Sequence, residues 1–133
     1  MTILVIGATG RVGRHVVDQL LQRGATVRVL TRDPAKANFA TGVEVAQGDL
    51  LDIDALRAAL AGVDAMFLLN AVTGDEFTQA LISLNLAHEA GVDRVVYLSV
   101  FDADAIVIDT ISDAERRECP RVEGDGAVEV GNR

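Results

Sequence analysis

The sequence predicts an α/β fold built on a doubly wound parallel sheet of about five strands in the order 3-2-1-4-5. Three observations carry that expectation. Short apolar runs of strand length alternate with amphipathic stretches of helix length from residue 2 to residue 100. The links between them are short, with Gly, Asp or Pro at the junctions. The first apolar run, "ILVI" at 3–6, leads straight into "GATGRVG" at 7–13, three glycines spaced three apart at the start of a helical pattern. A strand–helix–strand rhythm with short links gives parallel strands and helices on both faces. Right-handed crossovers then restrict the strand order. The crevice of such a sheet lies at the carboxyl ends of strands one and four, where the order reverses.

Each element follows from its own pattern. Residues 2–6 read as a buried strand. A helix follows over 11–23, where Val12, Val16, Val17, Leu20 and Leu21 share one face and Gly24 is a natural stop. "TVRVL" at 26–30 is the second strand. Asp33-Pro34 is a helix start with proline in the first turn, so "PAKANFA" reads as a short helix. "VEVAQ" at 43–47 is the third strand, and either Asp52 or Asp54 caps a helix running to Leu60, stopped by Gly62. "AMFLL" at 65–69 is the fourth strand. A long helix over 75–90 carries Phe77, Leu81 and Leu84 as an apolar stripe and ends at Gly91. "RVVYLSV" at 94–100 is the fifth strand.

Composition narrows the function classes. A chain of 133 residues suits one domain, and half of its residues are hydrophobic, enough for a sizeable core. Twelve Lys and Arg against twenty Asp and Glu give a formal charge of −8. That balance disfavours a general nucleic-acid binder, which needs cations for phosphates. It leaves room for a small anion at one local site. The single cysteine, Cys119, cannot form an intrachain disulfide and fits a reducing compartment. "MTILVIGATG" lacks the pattern of a secretory signal, and no run approaches the ~20 apolar residues that span a bilayer. The expectation is a cytoplasmic protein that engages neither nucleic acid nor membrane.

Residues 103–133 change character. From Phe101 onward nine acids face four arginines, leaving −5 in the last quarter of the chain. "AIVID" at 105–109 has strand composition and "ISDAERRE" at 111–118 helical composition, its "DAERRE" run most simply a solvated face. "RVEGDGAVEV" at 121–130 alternates around Gly124-Asp125-Gly126, as a weak hairpin would. None of these continues the strand–helix rhythm. The division expected is therefore 1–102 as a nucleotide-binding domain and 103–133 as a divergent or truncated tail. Without a further strand beyond the fifth, an exposed sheet edge would invite self-association.

The glycine loop is where chemistry enters. A strand leading into a helix N-terminus presents unpaired backbone N–H groups and the positive end of the helix dipole. A pyrophosphate fits there if no side chain obstructs it. Gly7 allows the sharp turn, Gly10 lets the backbone approach phosphate, and Gly13 lets the helix lie close to the first strand. The spacing has one residue more between its first two glycines than the G-x-G-x-x-G fingerprint. A bare strand-to-helix turn is the alternative reading.

"ILVIGATGRVGRHVVDQLLQRGATVRVLTRDPAKA", "GVEVAQGDLLDIDALRAALAGVDAMFLL" and "AHEAGVDRVVYLSV" resemble the NmrA-like, NAD(P)-binding branch of the atypical short-chain dehydrogenase/reductases over residues 1–102. The resemblance implies a Rossmann fold with the dinucleotide bound across Gly7, Ala8, Thr9, Gly10, Arg11, Val12 and Gly13. It also implies that Asp49 accepts from the adenine amino group, that Leu50 packs on the ring, and that Asn70 and Ala71 line the ribose side. Ser99 would approach the nicotinamide. Some members of the family reduce quinones or other small organic substrates; others bind the nucleotide as redox sensors without turnover.

The second strand ends in Thr31-Arg32. An acid near this point holds the ribose 2′-hydroxyl of NAD, whereas an arginine suits the 2′-phosphate of NADP. Asp33 reads better as a helix cap. Arg32, with Arg11 as its partner across the loop, therefore favours NADP over NAD; ordinary solvated arginines are the competing reading, as a turn aspartate is for Asp49. No catalytic residue is assigned. His15 reads as solvated and His88 as a boundary residue, and no metal-ligand spacing is visible. The Tyr-x-x-x-Lys pair typical of short-chain dehydrogenases is absent: Tyr97 lies within the fifth strand and Lys36 near the second. Two functions compete, an NAD(P)H-dependent oxidoreductase of small organic substrates, or a fragment of one, and a non-catalytic NAD(P)-binding redox sensor.

Overall fold

The computed structural model describes residues 1–71, 74–98 and, as backbone, 127–131. Its elements run β1 (Thr2–Ile6), α1 (Arg11–Gln22), β2 (Thr26–Thr31), a 3₁₀ turn (Pro34–Lys36), β3 (Val43–Gln47), α2 (Ile53–Leu60), β4 (Ala65–Leu68), α3 (Glu76–Glu89), β5 (Arg94–Leu98) and β6 (Ala127–Gly131). The strands form one sheet in the order β3-β2-β1-β4-β5-β6. The first five are parallel, with Ile3 facing Val27 on one side and Ala65 on the other. The expected 3-2-1-4-5 order holds.

Alternation along β1 divides the core in two. Leu4 and Ile6 belong to the larger cluster, with Leu56, Leu60, Leu84 and Ala87 from α2 and α3. Ile3 and Val5 belong to the other, with Val17 of α1 and Val27 and Val29 of β2. A central strand buried on both faces explains why its sequence is continuously apolar and does not alternate.

The structure corrects several expectations. Asp52, not Asp54, is the N-cap of α2, its carboxylate accepting from the Ala55 N–H at 3.1 Å. "PAKANFA" shortens to a single 3₁₀ turn, capped by Asp33 through the Ala35 N–H. On α1, Val12 is exposed while Val17 is buried. On α3, the stripe fails: Phe77 is 53% and Leu81 39% exposed, whereas Leu84 is 3% exposed. The face turned inward is Ala80, Ser83, Leu84 and Ala87, with Leu86 beside it. Small side chains let α3 sit close to its neighbours, and the Ser83 hydroxyl is satisfied by donating to the Gln79 carbonyl at 2.7 Å.

A further correction concerns the sheet edge. β5 has an outer neighbour: β6 pairs with it antiparallel, Leu98 opposite Ala127 and Arg94 opposite Gly131. The free edges of the described sheet are therefore β3 and β6. Of the hairpin expected within 121–130, residues 127–130 belong to this pairing, and 121–126 lie outside the described residues. The strand and helix read at 105–109 and 111–118 lie outside the described residues, as do Cys119 and Ser99.

Away from the cleft, side chains pin the layers together. Arg28 on β2 pairs with Glu44 on β3 at 2.8 Å. It also donates to the carbonyls of Ala59 and Ala61 at 2.8 and 2.7 Å, satisfying the end of α2 with a cation where the helix dipole is negative. Arg57 and Glu89 link α2 to α3 at 3.1 Å.

Candidate dinucleotide site

At the carboxyl ends of β1, β2 and β4 lies a cleft of about 700 Å³, large enough for a cofactor. Its walls come from four segments: Ile6, Gly7 and Thr9; Leu30 through Asp33 with Lys36; Gly48, Asp49 and Leu50; and Leu69, Asn70 and Ala71, with Gln79 of α3 beside the last. Every segment follows a strand, so the parallel sheet itself brings together residues that are far apart in the chain.

The glycine loop is shaped by two close approaches. Gly7 has φ +82°, and a Cβ there would overlap the carbonyl oxygen of Leu69 at the end of β4. A Cβ at Gly13 would overlap the carbonyl oxygen of Gly7 and come within 2.7 Å of the Ala8 Cα. The contact that Gly13 permits is thus with the loop after β1, one step beyond the strand. Gly10 differs. Its φ is −77°, and a Cβ would meet only the Gly7 carbonyl oxygen at 3.5 Å, an ordinary contact. Among the described residues nothing requires glycine at position 10.

The start of α1 is uncapped. Among the described residues no side chain accepts from its first turn, and the backbone N–H groups of Arg11, Val12 and Gly13 donate to no backbone carbonyl. The 3₁₀ turn and α2, in contrast, are each closed by an aspartate. Free N–H donors at the positive end of a twelve-residue helix, beside a position with room left bare of a side chain, suit an anion. The donor set fits a pyrophosphate.

At the other end of the cleft, charges gather. Arg32, its side chain 84% exposed, stands 3.9 Å from Asp49. Lys36 stands 3.5 Å from Asp33. Asp33 also caps the 3₁₀ turn, so the preference for a cap over a ribose contact agrees with its hydrogen bonding. Asp49 accepts from the Leu51 N–H at 2.9 Å through one oxygen, forming an Asx turn, and its other oxygen faces Arg32. The turn role and a place on the cleft wall coexist in this residue. Asn70 is nearly buried and donates to the Glu76 carbonyl at 2.7 Å, tying the wall after β4 to the first turn of α3.

Of the residues singled out from the sequence, Gly7, Thr9, Arg32, Asp49, Leu50, Asn70 and Ala71 line the cleft. Ala8, Gly10, Arg11, Val12 and Gly13 do not. Ala8 is turned into the core, and Arg11 is exposed with no hydrogen bond or ion pair among the described residues. Sequence reasoning misses Lys36 as a wall residue, because in the sequence it stands out only as half of an absent Tyr–Lys pair. Gln79, on the face of α3 near the cleft, carried no signal at all. Among the described residues no three His, Cys, Asp or Glu side chains cluster, and no helix is long and apolar enough to cross a membrane.

A parallel sheet with this strand order, a glycine loop opening α1 at the switch between β1 and β4, and cations at the end of β2 define a Rossmann-type nucleotide-binding protein. More narrowly, the chain belongs to the NmrA-like family, whose model matches residues 1–113. It is 35% identical over 107 residues to quinone oxidoreductase 2 of Escherichia coli K12, covering 77% of this chain and 37% of that protein. It is 38% identical over 96 residues to the NAD(P)H azoreductase of Xenophilus azovorans, covering 71% and 34%. The NADPH complex of the E. coli quinone oxidoreductase superposes with a TM-score of 0.70 at 34% identity, over 77% of this chain and 38% of that one. Triphenylmethane reductase of Citrobacter superposes with a TM-score of 0.67 at 29% identity, over 82% and 40%. The chain spans about a third of the length of the relatives it matches.

Proposed function

We propose that the chain binds NADPH in this cleft and supplies the nucleotide half of an NAD(P)H-dependent oxidoreductase acting on a small organic substrate of the quinone or carbonyl class. One observation carries the reading: the cleft runs from Gly7 and Thr9, in the loop that leads into the uncapped N-terminus of α1, to the cations Arg32 and Lys36. A dinucleotide with a 2′-phosphate has anionic groups at both places. The pyrophosphate lies on the first turn of α1. The 2′-phosphate meets Arg32 and Lys36, with Arg11 beyond the cleft wall. Asp49 and Leu50 take the adenine, while Asn70 and Ala71 line the ribose side. NADPH, when bound, is the source of hydride. The relatives named as NAD(P)H azoreductase and as NADPH-dependent quinone oxidoreductase support the same chemistry.

A redox sensor that binds without turnover is the second reading. It is favoured by the fate of the tyrosine: Tyr97, the sole tyrosine, is buried in the core cluster beneath α3, while Lys36, the sole lysine, is on the cleft wall. The two do not form the usual acid pair. Calorimetric titration of the chain with NADPH and NADH tests binding, and NADPH consumption with a panel of quinones and carbonyls tests turnover. Tight NADPH binding with no consumption selects the sensor; absence of binding to either nucleotide overturns both readings. The cytoplasmic location and the association of copies through a free sheet edge, β3 or β6, belong to the same proposal; fractionation and sedimentation test them.

A further inference from the structure

Arg14 lies on the first turn of α1, one residue past the glycine loop, and is not part of the cleft wall. Its side chain nevertheless joins the glycine loop to the connection between β2 and β3. Nε donates to the Thr9 carbonyl oxygen at 3.2 Å, at the tip of the glycine loop. Nη1 donates to the Asn38 carbonyl oxygen at 3.2 Å, in the connection between β2 and β3. The guanidinium carbon sits 5.6 Å from the centroid of the Phe39 ring, within cation–π range. Phe39 in turn packs on the α1-side core.

The connection it reaches has little else to hold it. Beyond the 3₁₀ turn, residues 37–42 form no regular element. The backbone hydrogen bonds of this connection are local, such as Asn38 to Lys36 and Phe39 to Ala37. Among the described residues, no other hydrogen bond runs from the glycine loop or α1 to residues 32–42. Arg32 and Lys36 sit at the root of this same connection.

We infer that Arg14 is a positioning residue that ties the glycine loop to the arm carrying Arg32 and Lys36, so that recognition of a 2′-phosphate depends on a side chain that does not touch it. The inference rests on the dinucleotide reading above. Arginine is suited to the task because its planar fork offers several donors at once and stacks on an aromatic face, which a lysine ammonium cannot do together. A merely structural arginine would affect NADPH and NADH alike. A tether of the 2′-phosphate arm affects NADPH more, because NADH has no group there.

The test uses the chain with Arg14→Leu and Arg14→Lys, titrated with NADPH and NADH, and backbone amide exchange over residues 37–42 without nucleotide. In Arg14→Leu the NADPH-to-NADH affinity ratio falls by about fivefold or more, a modest value for coupling between sites. Arg14→Lys gives a smaller fall. Exchange over 37–42 accelerates in both variants, and in an Arg32→Ala background Arg14→Leu no longer changes the ratio. Wild-type binding with an unchanged ratio in the variants overturns the inference alone. A wild-type chain that binds neither nucleotide overturns the dinucleotide reading and this inference with it. Should Arg14→Leu not fold, Arg14→Lys decides by the same ratio.

Discussion

The Arg32 guanidinium stands 3.9 Å from the Asp49 carboxylate, across the end of the cleft that follows β2 and β3. Both side chains are substantially exposed, so this is a loose pair worth little to the fold. On the proposed function, so loose a pair leaves Arg32, on the cleft wall, available to a phosphate. A charge-assisted contact from Arg32 to a 2′-phosphate would contribute roughly 1.5–3 kcal/mol. Arg32→Glu replaces that attraction with repulsion and sets two carboxylates side by side. NADPH affinity should drop by at least tenfold, about 1.4 kcal/mol, with NADH affinity similar or improved. Equal losses for the two nucleotides in calorimetry would assign Arg32 a structural role only.

Asp52 should account for most of the capping of α2. Its carboxylate accepts from the Ala55 N–H at 3.1 Å, whereas Asp54 sits inside the first turn and makes no such bond. Asp52→Ala should destabilise the chain by about 1 kcal/mol. Asp54→Ala loses only a favourable dipole contact, at most about 0.3–1 kcal/mol. Urea unfolding of the two variants checks the order; a larger loss for Asp54→Ala would contradict the cap seen here.

What could be read from the sequence and what could not have separate physical causes. β1 and β4 are legible because a central strand covered on both faces is apolar without interruption; β2, β3 and β5 are legible because short β-branched runs stand between links that carry Gly and Asp. Of β6 the alternation is legible but its partner is not: it pairs antiparallel with β5, outside the parallel strand–helix rhythm on which the reading depends. Gly7, Arg32 and Asp49 are legible because strand ends in such a sheet converge on one crevice. Arg14 left no trace, since its partners are backbone carbonyls five and twenty-four residues away, and a carbonyl has no residue type. The stripe on α3 misled because spacing was matched among the largest apolar residues, while close packing selected small ones.

That last point has a direct test. Leu84 is buried on the inner face of α3 with Leu56 and Leu60 of α2 in the same cluster, while Leu81 is 39% exposed and belongs to neither core cluster. Leu84→Ala removes buried methyl groups and leaves a cavity, at a cost of about 2–5 kcal/mol. Leu81→Ala, which leaves no closed cavity, should cost clearly less, about 1 kcal/mol. Thermal or urea unfolding separates the two; comparable losses would restore the stripe that the sequence suggested.

Gly10 and Gly13 look equivalent in the sequence and should behave differently. A Cβ at position 13 overlaps backbone atoms of Gly7, and backbone cannot rotate away as a flexible side chain can. Gly13→Ala must therefore push α1 off the loop, and the cost appears in stability before any ligand is added. At Gly10 the backbone is already in a region open to all residues, and the nearest atom to a Cβ is 3.5 Å away. Gly10→Ala should fold with a melting temperature close to wild type. The methyl group, however, projects from the N-cap position where phosphate oxygens would approach the free N–H groups of Arg11, Val12 and Gly13. Affinity for NADPH and NADH should fall together by tenfold or more, about 1.4 kcal/mol, since both carry the pyrophosphate. The pair of measurements, melting temperature and nucleotide affinity, distinguishes a loop built only to turn from one built to hold an anion. If Gly10→Ala binds both nucleotides as the wild type does, position 10 is glycine for no reason connected with phosphate, and the pyrophosphate lies elsewhere or is not bound.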